Sequence, residues 1–353
     1  MSNFKIALYP GDGIGQEVLQ QAVRVLDSVQ ASVGGFELHY SELPWGGDYY
    51  VEHGSVVPDD YLDQLRQYDA ILLGAVGDPE RLPDSLTLTP LVQIRQRYDQ
   101  YVCMRPARLM QGVRSPLAEP GEIDMLVLRE NSEGEYLRCG GRAKEGSPDE
   151  VAIQSAIHTR KGVERILRFG YEQARSRRNR LTMITKSNAL VYGMTMWDDI
   201  LEAIRGDYPD VETDKMHADA AAMDLVRRPS RFDVIVASNL FGDLLTDLGG
   251  AISGGLGLAP SANINPERTA PSLFEPVHGS APDIAGQGIS NPVAAIRSAA
   301  MMLDWLELPE AATTVRSAVE KALATGAATR DLGGSLSCAE MGDAILETVE
   351  QIT

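Results

Sequence analysis

Short apolar runs alternate along this chain with stretches of helical spacing. Phe4 to Tyr9 is such a run, broken by Pro10 and a glycine cluster, after which Val18, Leu19, Ala22, Val23, Val25 and Leu26 recur as on one helix face. The reading is strand, loop, helix. The same order returns with Ala70 to Leu73 before Gly74, Met125 to Leu128 before Arg129, Leu181 to Ile184 before Thr185, and Val234 to Ala237 before Ser238. Buried strands alternating with helices predict an α/β fold. Ligands of such folds gather just past the carboxyl ends of strands, where polar residues stand here, so the chemistry is expected there. Gly134 to Pro148 is rich in glycine and charge, and Glu150 to Thr159 then partly alternates, which predicts a loop and hairpin arm. A lone two-stranded arm is marginal, so it is expected to pack on a second subunit. Gly249 to Asn265, dominated by glycine, proline and small residues, predicts a crossing between two lobes.

Length and charge narrow the function. The 353 residues suffice for two domains. No apolar run approaches the roughly 18 residues of a membrane helix, and Met1 to Tyr9 lacks the basic flank of an export signal, so a soluble cytoplasmic protein is expected. A net charge of -18 disfavours nucleic acid and anionic membranes as partners but still admits a local positive pocket for a small anion. Cys103, Cys139 and Cys338 are too few and too scattered for a disulfide framework.

Five segments carry candidate chemistry. Pro10-Gly11-Asp12-Gly13-Ile14-Gly15 sits where a phosphate-binding loop would, yet it does not match the dinucleotide fingerprint and a tight turn fits equally well. Asn239 to Asp247 follows a strand, and in a helix Asp243 and Asp247 share one face, where two like charges repel unless a cation lies between them. Such hard oxygen ligands suit Mg2+ or Mn2+, although paired carboxylates are also common on helix surfaces. Asp219 is a third ligand candidate. Arginine forks grip carboxylates: Arg95, Arg105 and Arg129 are candidates, while Arg97 and Arg108 read as solvated. Tyr136 and Lys186 are candidate proton carriers. Phe274 to Asp283, followed by Asn291, forms a Gly, Ser and Pro turn able to offer amides to phosphates and a carboxylate to a ribose.

Together these segments resemble the β-decarboxylating dehydrogenases, the isocitrate and isopropylmalate dehydrogenase family, over nearly the whole chain. The specific pieces are Pro10 to Gly15, Arg129-Glu130-Asn131, Thr185-Lys186-Ser187-Asn188, Asn239 to Gly249 and Glu275 to Asp283, in the family's order. The resemblance implies an α/β isopropylmalate dehydrogenase-like two-domain fold, not a Rossmann fold. The large domain would hold residues 1–102 plus 257–353, and the small domain 103–256 with the arm and dimer interface. It further implies a homodimer with shared sites, NAD, Mn2+ or Mg2+, and room for K+. Asp243 and Asp247 would bind the metal with Asp219 of a second copy, and Arg95, Arg105 and Arg129 the substrate carboxylates. Lys186, again from the second copy, would be the base and Tyr136 the acid. Glu275, His278, Gly279, Ser280, Ala281, Asp283 and Asn291 would hold the cofactor, Asp283 matching the NAD users.

The stretch Leu86 to Val92 is where the family resembles a contest over the substituent on C3 of the substrate. Isopropylmalate enzymes usually carry glutamate where Leu88 stands, whereas Leu91 and Val92 still offer apolar surface. Trp45 to Tyr50, Tyr98 to Tyr101 and Glu130 to Tyr136 resemble the tartrate and D-malate branch. The expected activity is oxidation with β-decarboxylation of a (2R)-2-hydroxy dicarboxylate, D-malate or tartrate. A 3-alkylmalate such as 3-isopropylmalate is the alternative, and an idle regulatory subunit a further one.

Overall fold

A computed structural model describes residues 1–353, the side chain of Asp84 excepted. Twelve strands form: β1 Ser2–Gly11, β2 Phe36–Glu42, β3 Ala70–Ala75, β4 Val102–Arg108, β5 Asp124–Glu130, β6 Gly140–Ala143, β7 Val151–Gln154, β8 Arg180–Thr185, β9 Glu212–His217, β10 Val234–Ala237, β11 Pro260–Ile264 and β12 Ser272–Pro276. The helices are α1 Gly15–Val33, α2 Gly47–His53, α3 Tyr61–Leu65, α4 Asp84–Thr87, α5 Thr89–Arg97, α6 Arg160–Arg175, α7 Gly193–Ile204, α8 Ala218–Arg227, α9 Asn239–Ile252, α10 Val293–Trp305, α11 Pro309–Ala324 and α12 Cys338–Ile352. The five strands read from the apolar runs all form.

Ten strands make one sheet in the order β2-β1-β3-β12-β11-β4-β5-β10-β8-β9. Both wings are parallel, but the central pairs β12/β11, β11/β4 and β4/β5 are antiparallel, with Ser261 opposite Glu275 and Arg105 opposite Val127. Three reversals leave the two wings pointing opposite ways. The order and the mixed centre exclude a classical dinucleotide fold, in which all strands run parallel. The carboxyl ends of the two wings accordingly lie at opposite edges of the sheet.

Side-chain alternation along strands explains where the site falls. One face of the sheet is apolar from wing to wing: Ile6, Leu8, Leu72, Phe274, Ala262, Leu128, Val236 and Met183 meet residues of α1, α6, α7, α10, α11 and α12 in a single core. The opposite face is split. Ala7, Tyr9, Ile71 and Leu73 pack with Trp45, Tyr61, Leu91, Ile94 and Tyr98, while Ala107, Val127, Ile235 and Ala237 pack separately with Ala221, Leu225 and Leu245. Between these two cores the central strands turn polar side chains to the same face: Arg105, Arg129, Ser261, Asn263 and Glu275, all buried. The hydrophobic core on this face is interrupted by that polar band.

β6 and β7 form a separate antiparallel hairpin, Gly140 opposite Gln154, exposed along its length, so the predicted arm exists, though only Val151–Gln154 of the alternating stretch is strand. The stretch from Gly249 to Asn265 is only partly a crossing. α9 runs on to Ile252, Gly254 and Gly255 turn the chain at φ +115, and Pro260–Ile264 is a fully buried central strand. Its Ser, Ala and Asn residues lack the apolar signature because Asn263 is satisfied by Glu275 of the neighbouring β12 and by Asn131 just beyond β5.

Candidate active site

The gap between the two split cores is a cavity of about 230 Å3. Leu73, Ala75, Val76, Leu88 and Leu91 form one wall, Arg95, Arg105, Arg129, Tyr136, Asp243 and Asp247 another, and Glu275 to Gly279 close it. A larger groove of about 440 Å3 is lined by Pro10, Gly11, Asp12, Trp45 and Asp48 of the glycine and aromatic segments, and one of about 500 Å3 holds none of the candidate site residues.

Asp243 is the centre of the polar wall. Arg105 Nη1 donates to its Oδ1 at 3.1 Å and to Thr246 Oγ1 at 2.7 Å. Arg129 Nη1 donates to the same Oδ1, while its Nε and Nη2 grip Asn239 Oδ1 at 2.9 and 2.7 Å. Tyr136 donates its hydroxyl to Asp243 Oδ2 at 2.7 Å, and its ring lies 5.0 Å from the Arg129 guanidinium. Asp247, one turn along α9, is 4.0 Å from Arg105. Burial pushes the Asp243 carboxyl up, but Arg129, Arg105 and the Tyr136 hydroxyl outweigh it and hold the group below the usual carboxylate range. Asp247 goes the other way, raised by burial and by the charge of Asp243. Tyr136 is raised by burial and by Asp243, so it stays protonated at neutral pH.

Arg95 Nη2 meets Glu275 Oε1 at 2.9 Å, and Asn263 Nδ2 donates to that oxygen at 2.7 Å. Arg95 Nε and Arg105 Nε are buried without a protein partner. Leu91 is buried in the wall and Leu88 half-exposed at the mouth. Arg97 is exposed and Arg108 pairs with Glu320, so neither belongs to the site.

Lys186 and Asp219 are elsewhere. They follow β8 and β9 and pair with each other at 2.8 Å, which holds the exposed Asp219 carboxyl below its usual range. Among the described residues no group of three or more His, Cys, Asp or Glu is placed to hold a metal. Asp243 and Asp247 provide two hard oxygen donors in the cavity, a donor type that suits Mg2+ or Mn2+.

Of the cofactor candidates, Glu275, His278 and Gly279 line the cavity, whereas Ser280, Ala281, Asp283 and Asn291 do not. Burial lowers the pKa of His278, keeping the ring neutral; its Nδ1 lies 2.9 Å from the Gly279 carbonyl, and its Nε2 is shielded without a partner. Asp283 is exposed beyond the turn. Asn291 donates to Asp331 at 3.0 Å and accepts from the Val293 amide at 3.0 Å at the start of α10.

Sequence reasoning gave no role to Asn239, which aligns Arg129, or to Glu130. The buried Glu130 carboxylate accepts from Ser132 N, Ser132 Oγ and Glu133 N at 3.0, 2.6 and 2.8 Å and so shapes the turn leading to Tyr136. Their position inside the quoted motifs was the only available signal.

The profile of the family described as isocitrate/isopropylmalate dehydrogenase matches residues 5–345. The chain is similar to the D-malate dehydrogenase [decarboxylating] of Escherichia coli, 49% identical over 99% of this chain and 99% of that one. It is likewise similar to the tartrate dehydrogenase/decarboxylase of Pseudomonas putida, 47% identical over 99% of each chain. Among solved structures, the isocitrate dehydrogenase of Methylococcus capsulatus superposes with a TM-score of 0.88 at 35% identity, over 99% of this chain and 100% of the other.

Proposed function

Because the chain belongs to the isocitrate/isopropylmalate dehydrogenase family, we propose that it oxidises D-malate, to pyruvate and CO2, and tartrate, using NAD and Mn2+ or Mg2+. An oxidoreductase of the hydroxy acid dehydrogenase type is the shared ground of its relatives. The observation that carries the finer reading is the convergence of three arginines, Tyr136 and two carboxylates in one cavity.

A bound divalent ion would supply Lewis acidity at the substrate's 2-oxygen, and NAD a hydride acceptor. Arg95, Arg105 and Arg129 bind the two carboxylates and fix which face of C2 is presented. Lys186 of a second copy takes the proton of the 2-hydroxyl. After CO2 leaves, Tyr136, kept protonated in its site, delivers a proton to C3. Leu88 and Leu91 exclude water from that side.

A homodimer with shared sites is part of this reading. Leu190, Val191, Tyr192, Met223, Val226 and Leu244 are exposed apolar side chains. The first three follow Lys186, Met223 follows Asp219, and Leu244 adjoins Asp243, so a second copy covering this surface would bring Lys186 and Asp219 toward its partner's Asp243. The exposed Val151 and Ile153 of the arm extend it. The division into a large domain of residues 1–102 plus 257–353 and a small domain of 103–256 is kept on the same footing. No helix among the described residues is long and apolar enough to cross a membrane, and the cytoplasm is the proposed location.

The test is NADH formation with Mn2+ and K+, comparing kcat/KM for D-malate, the tartrate isomers, isopropylmalate and isocitrate. Preference for D-malate or tartrate is expected. The apolar wall of Leu88 and Leu91 favours a second reading, a 3-alkylmalate, which a preference for isopropylmalate would establish instead. Silence on every substrate would leave the regulatory subunit, against which the gathered Tyr136, Asp243 and Asp247 count. Asp283→Lys is expected to move the NAD over NADP preference toward NADP by at least about tenfold, or ~1.4 kcal/mol, by removing a carboxylate that repels the 2′-phosphate. Unchanged ratios of kcat/KM for the two cofactors would remove Asp283 from the ribose site.

A further inference from the structure

The segment from Pro10 to Gly15 is not a phosphate cradle. Its amides are engaged by the protein: Asp12 N donates to Ala75 O at 2.8 Å, Ile14 N to Ser280 O at 2.8 Å and Gly15 N to Asp12 O at 3.0 Å. Gly13, at φ +56, lies so close to the turn after β12 that a Cβ would stand 2.1 Å from Ser280 O. The loop therefore bridges two edges of the cavity. One is the strap of Ala75, Val76 and Gly77 after β3, and the other the turn from Val277 to Ser280.

At its centre is the Asp12 carboxylate, 4% exposed. Oδ1 accepts from Gly47 N at 2.6 Å and Oδ2 from Gly77 N at 2.8 Å. The approach of Gly46, at φ +133, is equally tight, since a Cβ there would lie 2.5 Å from Oδ1. That accounts for the paired glycines of Trp45-Gly46-Gly47-Asp48. A buried carboxylate is tolerable only with such donors, and amide bonds to a charged acceptor are the strong ones. Gly77 also stands beside the other edge, with Ser280 Oγ 3.4 Å from where its Cβ would be.

We propose that Asp12 is a positioning residue for the nicotinamide cofactor, its two carboxylate oxygens holding the Ala75–Gly77 strap in register with the Val277–Ser280 turn so that the cofactor finds a preformed slot. This rests on the cofactor reading given above. Both amides need an acceptor, and only a carboxylate offers two; an asparagine keeps one oxygen and turns its NH2 toward the other amide. The effect should fall on cofactor binding, because Asp12 lies apart from the arginines, Tyr136 and Asp243.

The experiment is NADH binding to the full-length protein by fluorescence titration, alongside steady-state kinetics and thermal unfolding, for wild type and Asp12→Asn. Expected are an NADH Kd and an NAD KM raised by about tenfold or more, with kcat at saturating NAD and the hydroxy acid KM within about twofold of wild type. Unchanged NADH affinity in Asp12→Asn would overturn the proposal. So would a rise of both KM values in parallel with a fall in kcat and Tm, which marks a merely structural group. If Asp12→Asn fails to fold, Gly47→Ala takes its place: the new Cβ would stand 3.0 Å from Asp78 Oδ2 and 3.2 Å from Asp12 Oδ1, displacing the carboxylate that binds the Gly47 amide, and the same split is expected. A folded Gly47→Ala binding NADH like wild type would refute the role. Wild type that binds no NADH defeats the cofactor reading itself, and this inference with it.

Discussion

Asp243→Asn is expected to lower kcat/KM at least about a thousandfold, equivalent to ~4 kcal/mol of transition-state stabilisation. The amide keeps the shape of the side chain and removes its charge. In the cavity Arg105, Arg129 and Tyr136 all donate to this one carboxylate, which those arginines keep ionised. Without the charge the site loses an anionic donor for a divalent cation, and Arg129, 2% exposed, loses its counterion. A stability loss of about 1 to 3 kcal/mol should accompany the kinetic one, so Tm is measured beside activity. Wild-type turnover at saturating metal would remove Asp243 from the metal site. A large kinetic loss with a small shift in Tm places its role in the chemistry.

Lys186→Ala should cost roughly 100- to 10,000-fold in kcat, the range for a lost general base. The more telling outcome concerns which chain supplies it. In the structure Lys186 is paired with Asp219 outside the cavity that holds Asp243. In a shared-site dimer, mixing and reassociating Lys186→Ala with Asp243→Asn creates mixed dimers in which one of two sites has every group intact. Random exchange of equal amounts then restores about a quarter of wild-type activity from two inactive parents. Exchange demonstrated by differently tagged chains, yet without recovery, would rule out a site shared in this way.

The wings of the fold and the polar wall of the cavity were legible in the sequence; the centre of the sheet was not. Strands such as β3, Ala70–Ala75, and β10, Val234–Ala237, are apolar on both faces because both faces are covered, and a run of hydrophobic residues reports that directly. β4 carries Arg105 into the polar cavity, and β11 reads Pro-Ser-Ala-Asn-Ile, because one face of each is spent on buried polar groups rather than on a core. Their pairing with each other, Ala262 opposite Met104, joins segments roughly 160 residues apart, which no local window contains. The site shows the same division. Arg129 at the carboxyl end of a strand and carboxylates one helical turn apart announce themselves by position. Asn239, Asn263 and Asp12 act by holding other groups, and a side chain that only holds others has no signature of its own. The Pro10–Gly15 segment was recognisable as a glycine loop, but only its neighbours reveal that it ties the cavity edges together.

The pairing of β3 with β12 also governs how the chain is made. Ala70 to Leu72 hydrogen-bonds along Ser272 to Phe274, so the inner edge of the first parallel wing is sealed by a strand emerging roughly 200 residues later. At about 5 to 20 residues per second, a growing chain carries that edge unpaired for roughly 10 to 40 s. An open strand edge of that composition invites pairing with other chains, so the interval between synthesis of the first and last quarters of the protein is its period of greatest exposure to aggregation.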